Sequence, residues 1–337
     1  MKLVYIGNKL AAYGYTPTGV EYLGELLREG GHEVVQASDV RNTLARLFHM
    51  VLTIIRNRDA KVILIDTYSS SAFYFALICG YTAFLLGQPF ILILRGGDLP
   101  TRTSRNPRLV KGLFRKAASV VSVSLFLQKS FDNFYSTRYI PNTIPLSQYV
   151  FKKRKLVRPR LLWVRSLHSV YNPSLALKVL KFLSLKYEDA FLTMVGPDKE
   201  GLLDDLKEEA HSLGILERVS FTGKLSKSEW IMLSEKSDVF INTTHFDNMP
   251  VSVTEAMALG LPVVSTSVGG IPFLISHEIN GLLVPDANPE SMMAAIDRLI
   301  QNPDLVVAIA AAARQKVELF DNSIVLSQWN KLLNEVV

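Results

Sequence analysis

Asp247-Asn248-Met249-Pro250-Val251-Ser252-Val253-Thr254-Glu255-Ala256-Met257-Ala258-Leu259-Gly260-Leu261-Pro262-Val263-Val264-Ser265-Thr266-Ser267-Val268-Gly269-Gly270 is the most informative stretch of this 337-residue chain. Asn242-Thr243-Thr244 ends a strand just before it, and Pro250 suits the first turn of a helix. That helix runs through Ala258 and stops at Gly260, and a second strand follows over residues 262–265. The free N–H groups and dipole of its first turn would form an anion site at the carboxyl end of a parallel sheet. Asp247 stands at the helix mouth, and Glu255 lies about two turns along, placed to bond a diol. Val268-Gly269-Gly270 can bring bare backbone close to a ligand.

Working outward, the same alternation fills the chain. Strands are expected at 3–7, 33–36, 62–66, 90–94 and 120–124, with helical patterns such as 20–29 between them. A second series begins at Leu161-Leu162-Trp163-Val164 and continues at 191–195, 219–221, 239–242 and 262–265. Continuous apolar strands alternating with helices indicate parallel sheets covered on both faces. The rhythm pauses at Phe151-Lys152-Lys153-Arg154-Lys155, read as a solvated linker. The expected fold is therefore α/β: two doubly wound domains in tandem, with a cleft where strand ends face each other.

Hydrophobic residues at 48% and charged residues at 20% can bury two cores, which excludes disorder and fibrous repeats. The one cysteine, Cys79, is read as core, and it cannot form an internal disulfide. The three tryptophans, Trp163, Trp230 and Trp329, are read as packing. No charge falls between Ser69 and Leu94, a length that suits a membrane span. Gly80, Gly87, Gln88 and Pro89 interrupt it, so a buried helix followed by a strand is expected and the chain is read as soluble and cytoplasmic. Charge is unevenly spread: residues 1–150 hold 17 Lys+Arg against 9 Asp+Glu, and 151–337 hold 20 against 22. The first half is thus expected to meet an anionic partner. Arg41, Arg46, Arg56 and Arg58 accompany an apolar stripe, as do Arg102, Arg105, Arg108, Lys111, Arg115 and Lys116. Such helices either lie on anionic lipid at the inner membrane face or pack on a core with a solvated face. No nucleic-acid module accompanies the charge.

Several motifs fail. Gly14-Tyr15-Thr16-Pro17-Thr18-Gly19 lacks the lysine and hydroxyl of a phosphate loop. No Gly-x-Gly-x-x-Gly, Gly-x-Ser-x-Gly or Asp-x-Asp occurs, so no metal and no cofactor are expected.

The 247–270 string resembles the retaining glycosyltransferases of family 4, whose fold is GT-B. Asp247 stands at that family's first Glu, followed by its Glu-Ala-Met-Ala-x-Gly-x-Pro-Val-Val and Val-Gly-Gly. Gly31-His32-Glu33-Val34, Ile140-Pro141-Asn142-Thr143-Ile144, Val219-Ser220-Phe221-Thr222-Gly223 and Asn280-Gly281-Leu282-Leu283-Val284 echo further landmarks. The resemblance implies an acceptor-side domain at 1–150 and a nucleotide-sugar domain at 151–322. A helix at 323–337 would cross back to the first.

It also implies roles. Asp247 would meet hydroxyls of the donor sugar, and Glu255 the ribose. Backbone at Asn248, Met249, Val251 and Ser252 would hold sugar and diphosphate, beside Val268, Gly269 and Gly270. Lys224 and Leu225 would edge the base, and Gly19 would let the first helix approach the phosphates.

Two departures stand out. Where the family has Val-Gly-Arg-Leu and a later lysine, this chain has Val164-Arg165-Ser166-Leu167 and then Tyr171-Asn172-Pro173. Arg165 is displaced by one position; it either compensates as the phosphate clamp or pairs with a surface acid. Where the family has His-Gly-x-Asp, this chain has Arg95-Gly96-Gly97-Asp98. Arg95 either contacts phosphate or acceptor, or pairs with Asp98. His168 and His245, at strand-to-loop transitions, are read either as site residues or as ordinary loop residues.

The resulting expectation is a metal-independent, retaining hexosyltransferase, using a nucleotide-diphosphate sugar and a glycan or lipid-linked acceptor. The alternatives are an epimerase or phosphorylase of the same fold, or an inactive binding subunit.

Overall fold

A computed structural model describes residues 1–14 and 17–337, so Tyr15 and Thr16 of the failed phosphate-loop string lie outside the described residues. The chain divides into two compact units, Met1–Ile144 with Phe320–Val337, and Pro145–Leu319.

The first unit runs β1 (Lys2–Ile6), α1 (Gly19–Glu29), β2 (Glu33–Ala37), α2 (Thr43–Arg56), β3 (Val62–Thr67), α3 (Phe73–Leu85), β4 (Phe90–Leu94), α4 (Leu99–Ser104), α5 (Pro107–Lys116), β5 (Ser119–Ser122), α6 (Leu125–Phe131) and β6 (Arg138–Tyr139). Its six strands lie in the order β2-β1-β3-β4-β5-β6, all described pairings being parallel. Every residue of β3 and β4 is buried, because helices cover both faces and no position faces water. The charge-free segment becomes α3 and β4, and no helix of the described residues is long and apolar enough to cross a membrane. Expected strand 120–124 ends two residues early. Ser124 leaves it to cap α6, its Oγ accepting from Leu127 N at 3.1 Å.

The second unit runs β7 (Arg160–Val164), α7 (Pro173–Ser184), β8 (Phe191–Val195), α8 (Leu203–Ser212), β9 (Val219–Gly223), α9 (Lys227–Glu235), β10 (Val239–Asn242), α10 (Val251–Ala258), β11 (Val263–Thr266), α11 (Ile271–Leu274), β12 (Leu282–Val284), α12 (Pro289–Gln301) and α13 (Pro303–Glu318). Its order is β12-β11-β10-β7-β8-β9, again parallel.

The basic run before β7 is irregular coil with Lys152, Lys153 and Lys155 exposed, as its composition suggested, but one of its cations is not solvated. Arg154 is buried and donates to the carbonyls of Ser234 at 2.8 Å and Leu259 at 3.0 Å, at the ends of α9 and α10. Unsatisfied carbonyls and the negative end of the helix dipole draw in a cation there. Burial pushes its pKa down to about 10.

The chain then returns to the first unit as α14 (Asn322–Val336). Val325, Trp329, Leu332 and Leu333 from this helix complete that unit's core. Outgoing and returning segments lie side by side, with Ile144 N bonded to the Phe320 carbonyl at 3.0 Å.

Candidate functional site

In the second unit the chain switches sides of the sheet between β10 and β7. Ligands of doubly wound sheets bind where two strands' following loops diverge in this way. Arg165 leaves β7 at that point, and the 243–250 loop leaves β10. The loop is fixed from beneath. Trp163 Nε1 donates to Thr243 Oγ1 at 2.8 Å, and Thr243 donates onward to the Tyr171 carbonyl at 2.8 Å. Trp163 therefore does more than pack.

Arg165 and Asp247 meet directly. The guanidinium Nη2 donates to Asp247 Oδ2, and its plane lies over the Tyr171 ring, 4.7 Å from the centroid. Asp247 Oδ1 accepts from Asn248 N at 2.7 Å. Arg165 Nε is buried with no hydrogen-bond partner among the described residues. The arginine thus has a partner and an unused donor at once.

α10 begins just beyond. Pro250 is its N-cap, one residue earlier than its sequence position suggested, because its ψ of 120° is extended rather than helical. No side chain caps the first turn, and Ser252 Oγ within that turn is buried without a partner. Uncapped N–H groups and an unpaired hydroxyl at one helix mouth form a receptor for oxygen atoms. Val251 is exposed there; Met249 and Asn248 are half-buried.

Glu255 is buried, and its Oε1 accepts from Tyr149 Oη at 2.8 Å and from Lys227 Nζ. The sequence reading found neither partner. Lys227 opens α9, where a capping box of Ser226 and Glu229 fixes it. The Ser-x-x-Glu signal was present at 226–229, beginning two residues beyond Lys224. Lys224 itself is exposed past the end of β9, and Leu225 is half-buried.

Gly269 and Gly270 are bare where another loop's backbone presses on them. A Cβ at Gly270 would lie 1.8 Å from the Asn248 carbonyl oxygen, and one at Gly269, with φ +51°, 2.3 Å from that of Asp247. Gly270 N bonds the Asp247 carbonyl at 2.7 Å. The glycines let the turn after Val268 press on the Asp247 loop and hold its shape. His168 and His245 take carboxylate partners outside this group, Glu200 at 3.0 Å and Asp286 at 2.8 Å.

The first unit has its own cluster at the point where its chain switches sides, between β1 and β3. Arg95 pairs with Asp66 and not with Asp98, which is exposed: Nε donates to Asp66 Oδ1 at 2.6 Å. Nη1 reaches Asn142 Oδ1 at 2.7 Å and Nη2 reaches Tyr5 Oη at 2.8 Å. Tyr5 and Tyr68 donate to the two oxygens of Asp66 at 3.0 and 3.2 Å. Burial opposes the Arg95 charge, but Asp66, with Tyr5 and Tyr68, outweighs it and raises the guanidinium's pKa. Burial raises both phenols, which stay neutral donors. Each of the three guanidinium nitrogens thus has a protein acceptor, and the pairing of Arg95 with Asp98 that the sequence offered is replaced by a pairing with Asp66. A Cβ at Gly19 would stand 1.9 Å from Arg95 Cζ, so the bareness of this position admits the arginine.

The family model described as glycosyl transferases group 1 matches residues 149–316. An uncharacterised glycosyltransferase of Haemophilus influenzae is 31% identical over 183 residues, 54% of this chain and 51% of that protein. The amylovoran biosynthesis glycosyltransferase AmsK of Erwinia amylovora is 41% identical over 91 residues, 27% of this chain and 22% of that protein. The chain thus spans about half the length, or less, of these curated relatives. Anabaena Alr3699/HepE, solved with UDP and with UDP-glucose, shares the fold at TM-scores of 0.79 and 0.78 with 17% identity. Each of these alignments covers 99% of this chain and 100% of that one. Residues 149–316 thus belong to the glycosyl transferases group 1 family, and the two sheets of the chain build the GT-B fold.

Proposed function

We propose that the protein is a retaining, metal-independent glycosyltransferase. It moves a hexose-type sugar from a nucleotide-diphosphate sugar to a glycan or lipid-linked acceptor at the cytoplasmic face of a membrane. The observation that carries this reading is the mouth of α10, where Ser252 Oγ and the nearby Arg165 Nε are both buried and unpartnered. Buried polar atoms are nearly always satisfied in a folded protein, so a pair of orphans beside uncapped N–H groups suits bound oxygen atoms.

In this reading the diphosphate lies on the first turn of α10, and Glu255 bonds the ribose through Oε2. Arg165 and Lys227 supply the positive charge that the leaving diphosphate needs. Asp247, oriented by Arg165 and Asn248 N, meets the sugar hydroxyls. The acceptor oxygen bonds to the anomeric carbon as the bond from that carbon to the phosphate oxygen breaks. The acceptor's proton passes to the departing phosphate, so no protein base is required. Uridine is the first base to test, because HepE is solved with UDP and UDP-glucose.

Thermal shift and calorimetry with UDP, GDP, ADP and dTDP in the presence of a chelator test the donor site. One nucleoside diphosphate is expected to bind in preference to the rest. No response to any of them at millimolar concentration would sink the reading and favour a binding subunit without donor chemistry.

A further inference from the structure

We infer that the outer face of the α2–α3–α5 layer adsorbs to a phospholipid bilayer bearing anionic headgroups. The chain steps in one direction along the sheet through β3, β4 and β5, so right-handed crossovers put α2, α3 and α5 on one face. α2 packs against α3, and α3 against α5.

Two apolar stripes are left on the outside of this layer. Leu44, Phe48 and Ile55 on α2 are 79%, 68% and 40% exposed, and Tyr74, Ile78 and Leu85 on α3 are 48%, 40% and 80% exposed. Both triplets have the spacing i, i+4, i+11, which keeps each on a single helical face. Scattered surface hydrophobes are ordinary, whereas two parallel stripes on adjacent helices form a patch.

The charge around the stripes has one sign. α2, α3, α4 and α5 carry seven Lys and Arg between them and no Asp or Glu, and six of the seven, all but the buried Arg46, reach the surface. Arg102 lies over the Tyr74 ring, 5.0 Å from its centroid, and Lys116 Nζ lies 4.0 Å from that of Phe84. Cations are therefore held beside exposed rings, where charged headgroups meet acyl chains. A folded protein partner would explain the stripes without requiring the complete exclusion of acids. Nucleic acid would explain the cations but leave the leucine and phenylalanine crests without work. Only a bilayer with anionic headgroups asks for both. Since no described helix is long and apolar enough to span, the mode is in-plane adsorption.

This surface goes beyond the donor-site reading, and its test uses no donor. The full chain is floated with vesicles of phosphatidylcholine alone, and with about one-third phosphatidylglycerol, at about 0.1 M and 0.5 M salt. Binding is expected only to the anionic vesicles, weakened at the higher salt. The double substitution Phe48→Glu with Leu85→Glu should lower it at least about tenfold, with the circular dichroism spectrum unchanged, since both side chains are exposed. Absence of binding to anionic vesicles, equal binding to neutral ones, or undiminished binding by the folded double variant would each overturn the proposal. So would retention of duplex DNA by a wild type that ignores vesicles, which would assign the face to nucleic acid instead.

Discussion

Each sheet holds one arginine–aspartate pair where its chain switches sides, and the two pairs are finished to different degrees. In the first unit Asp66 is fully buried, and all three nitrogens of Arg95 are bonded to Asp66, Asn142 and Tyr5. In the second, Arg165 and Asp247 each keep 16% of their side chains exposed, and Arg165 Nε has no partner. A network in which every guanidinium nitrogen already has a protein partner is part of the architecture. An unsaturated one already bears the cost of an orphaned donor, and a ligand oxygen would relieve it. Two like pairs, each beside the point where its own chain switches sides, thus form a structural joint in one unit and, in the proposed reading, a receptor in the other.

The comparison breaks most visibly on stability. Asp66→Ala strands the buried Arg95 charge, which should destabilise the first unit by about 3–5 kcal/mol. Cys79, the chain's one cysteine, reports it, because burial pushes its thiol up to about 12 and keeps it from reagents until that unit opens. Labelling in the variant should speed up by about a hundred- to several-thousandfold. Asp247→Ala should leave the rate within about threefold of wild type. Similar acceleration by both would end the distinction.

Affinity sharpens the other side. Arg165→Ala should weaken nucleoside-diphosphate binding about ten- to a hundredfold, since a charge-assisted contact is worth roughly 1.5–3 kcal/mol. Arg165→Lys should recover only part, because an ammonium cannot reproduce the fork. Calorimetry at matched salt checks this; unchanged affinity would confine Arg165 to holding Asp247. Next comes the division of the two acids. Glu255→Gln is expected to raise the Kd for nucleotide about tenfold, whereas Asp247→Asn should reduce kcat with the Kd nearly unmoved. Equal binding losses would refute separate roles. Lys227→Ala should cost the least of the three, several-fold in Kd, because its side chain is 42% exposed.

A last test is pH. Tyr5, Tyr68 and Cys79 all have folded pKa values above their unfolded ones, so the folded state holds more protons at high pH. Their contribution is complete below about pH 8 and declines above it, as unfolded cysteine and then tyrosine ionise. The stability of the first unit, followed by hydrogen exchange, should therefore hold level to about pH 8 with respect to these groups and weaken above it. A first unit that grew firmer above about pH 8 would contradict the burial of those three groups.

Much of the fold was legible because it is written locally. Ile91-Leu92-Ile93 can only be a doubly covered strand, and Pro250 through Gly260 carries its own start and stop. The 247–255 part of the site was legible for the same reason, being one continuous segment. What escaped is non-local. Asp66 finds Arg95 across 29 residues and Tyr5 across 61, and nothing in an Ile-Asp-Thr strand end announces either. Arg154 reads as linker charge until the carbonyls of residues 80 and 105 positions away arrive to bury it. β6, two residues long, is too short to show any period. Lys227 is the exception, since its capping box was in plain view.

The return of the chain at Phe320 has a consequence for biosynthesis. A ribosome delivers the second unit, Pro145–Leu319, in full before it delivers α14. The first unit, though translated first, must wait with Val325, Trp329, Leu332 and Leu333 still missing from its core. Order of synthesis and order of completion are therefore reversed, and nascent chains stalled short of residue 320 should show a protease-resistant second unit beside a first unit still open to cleavage.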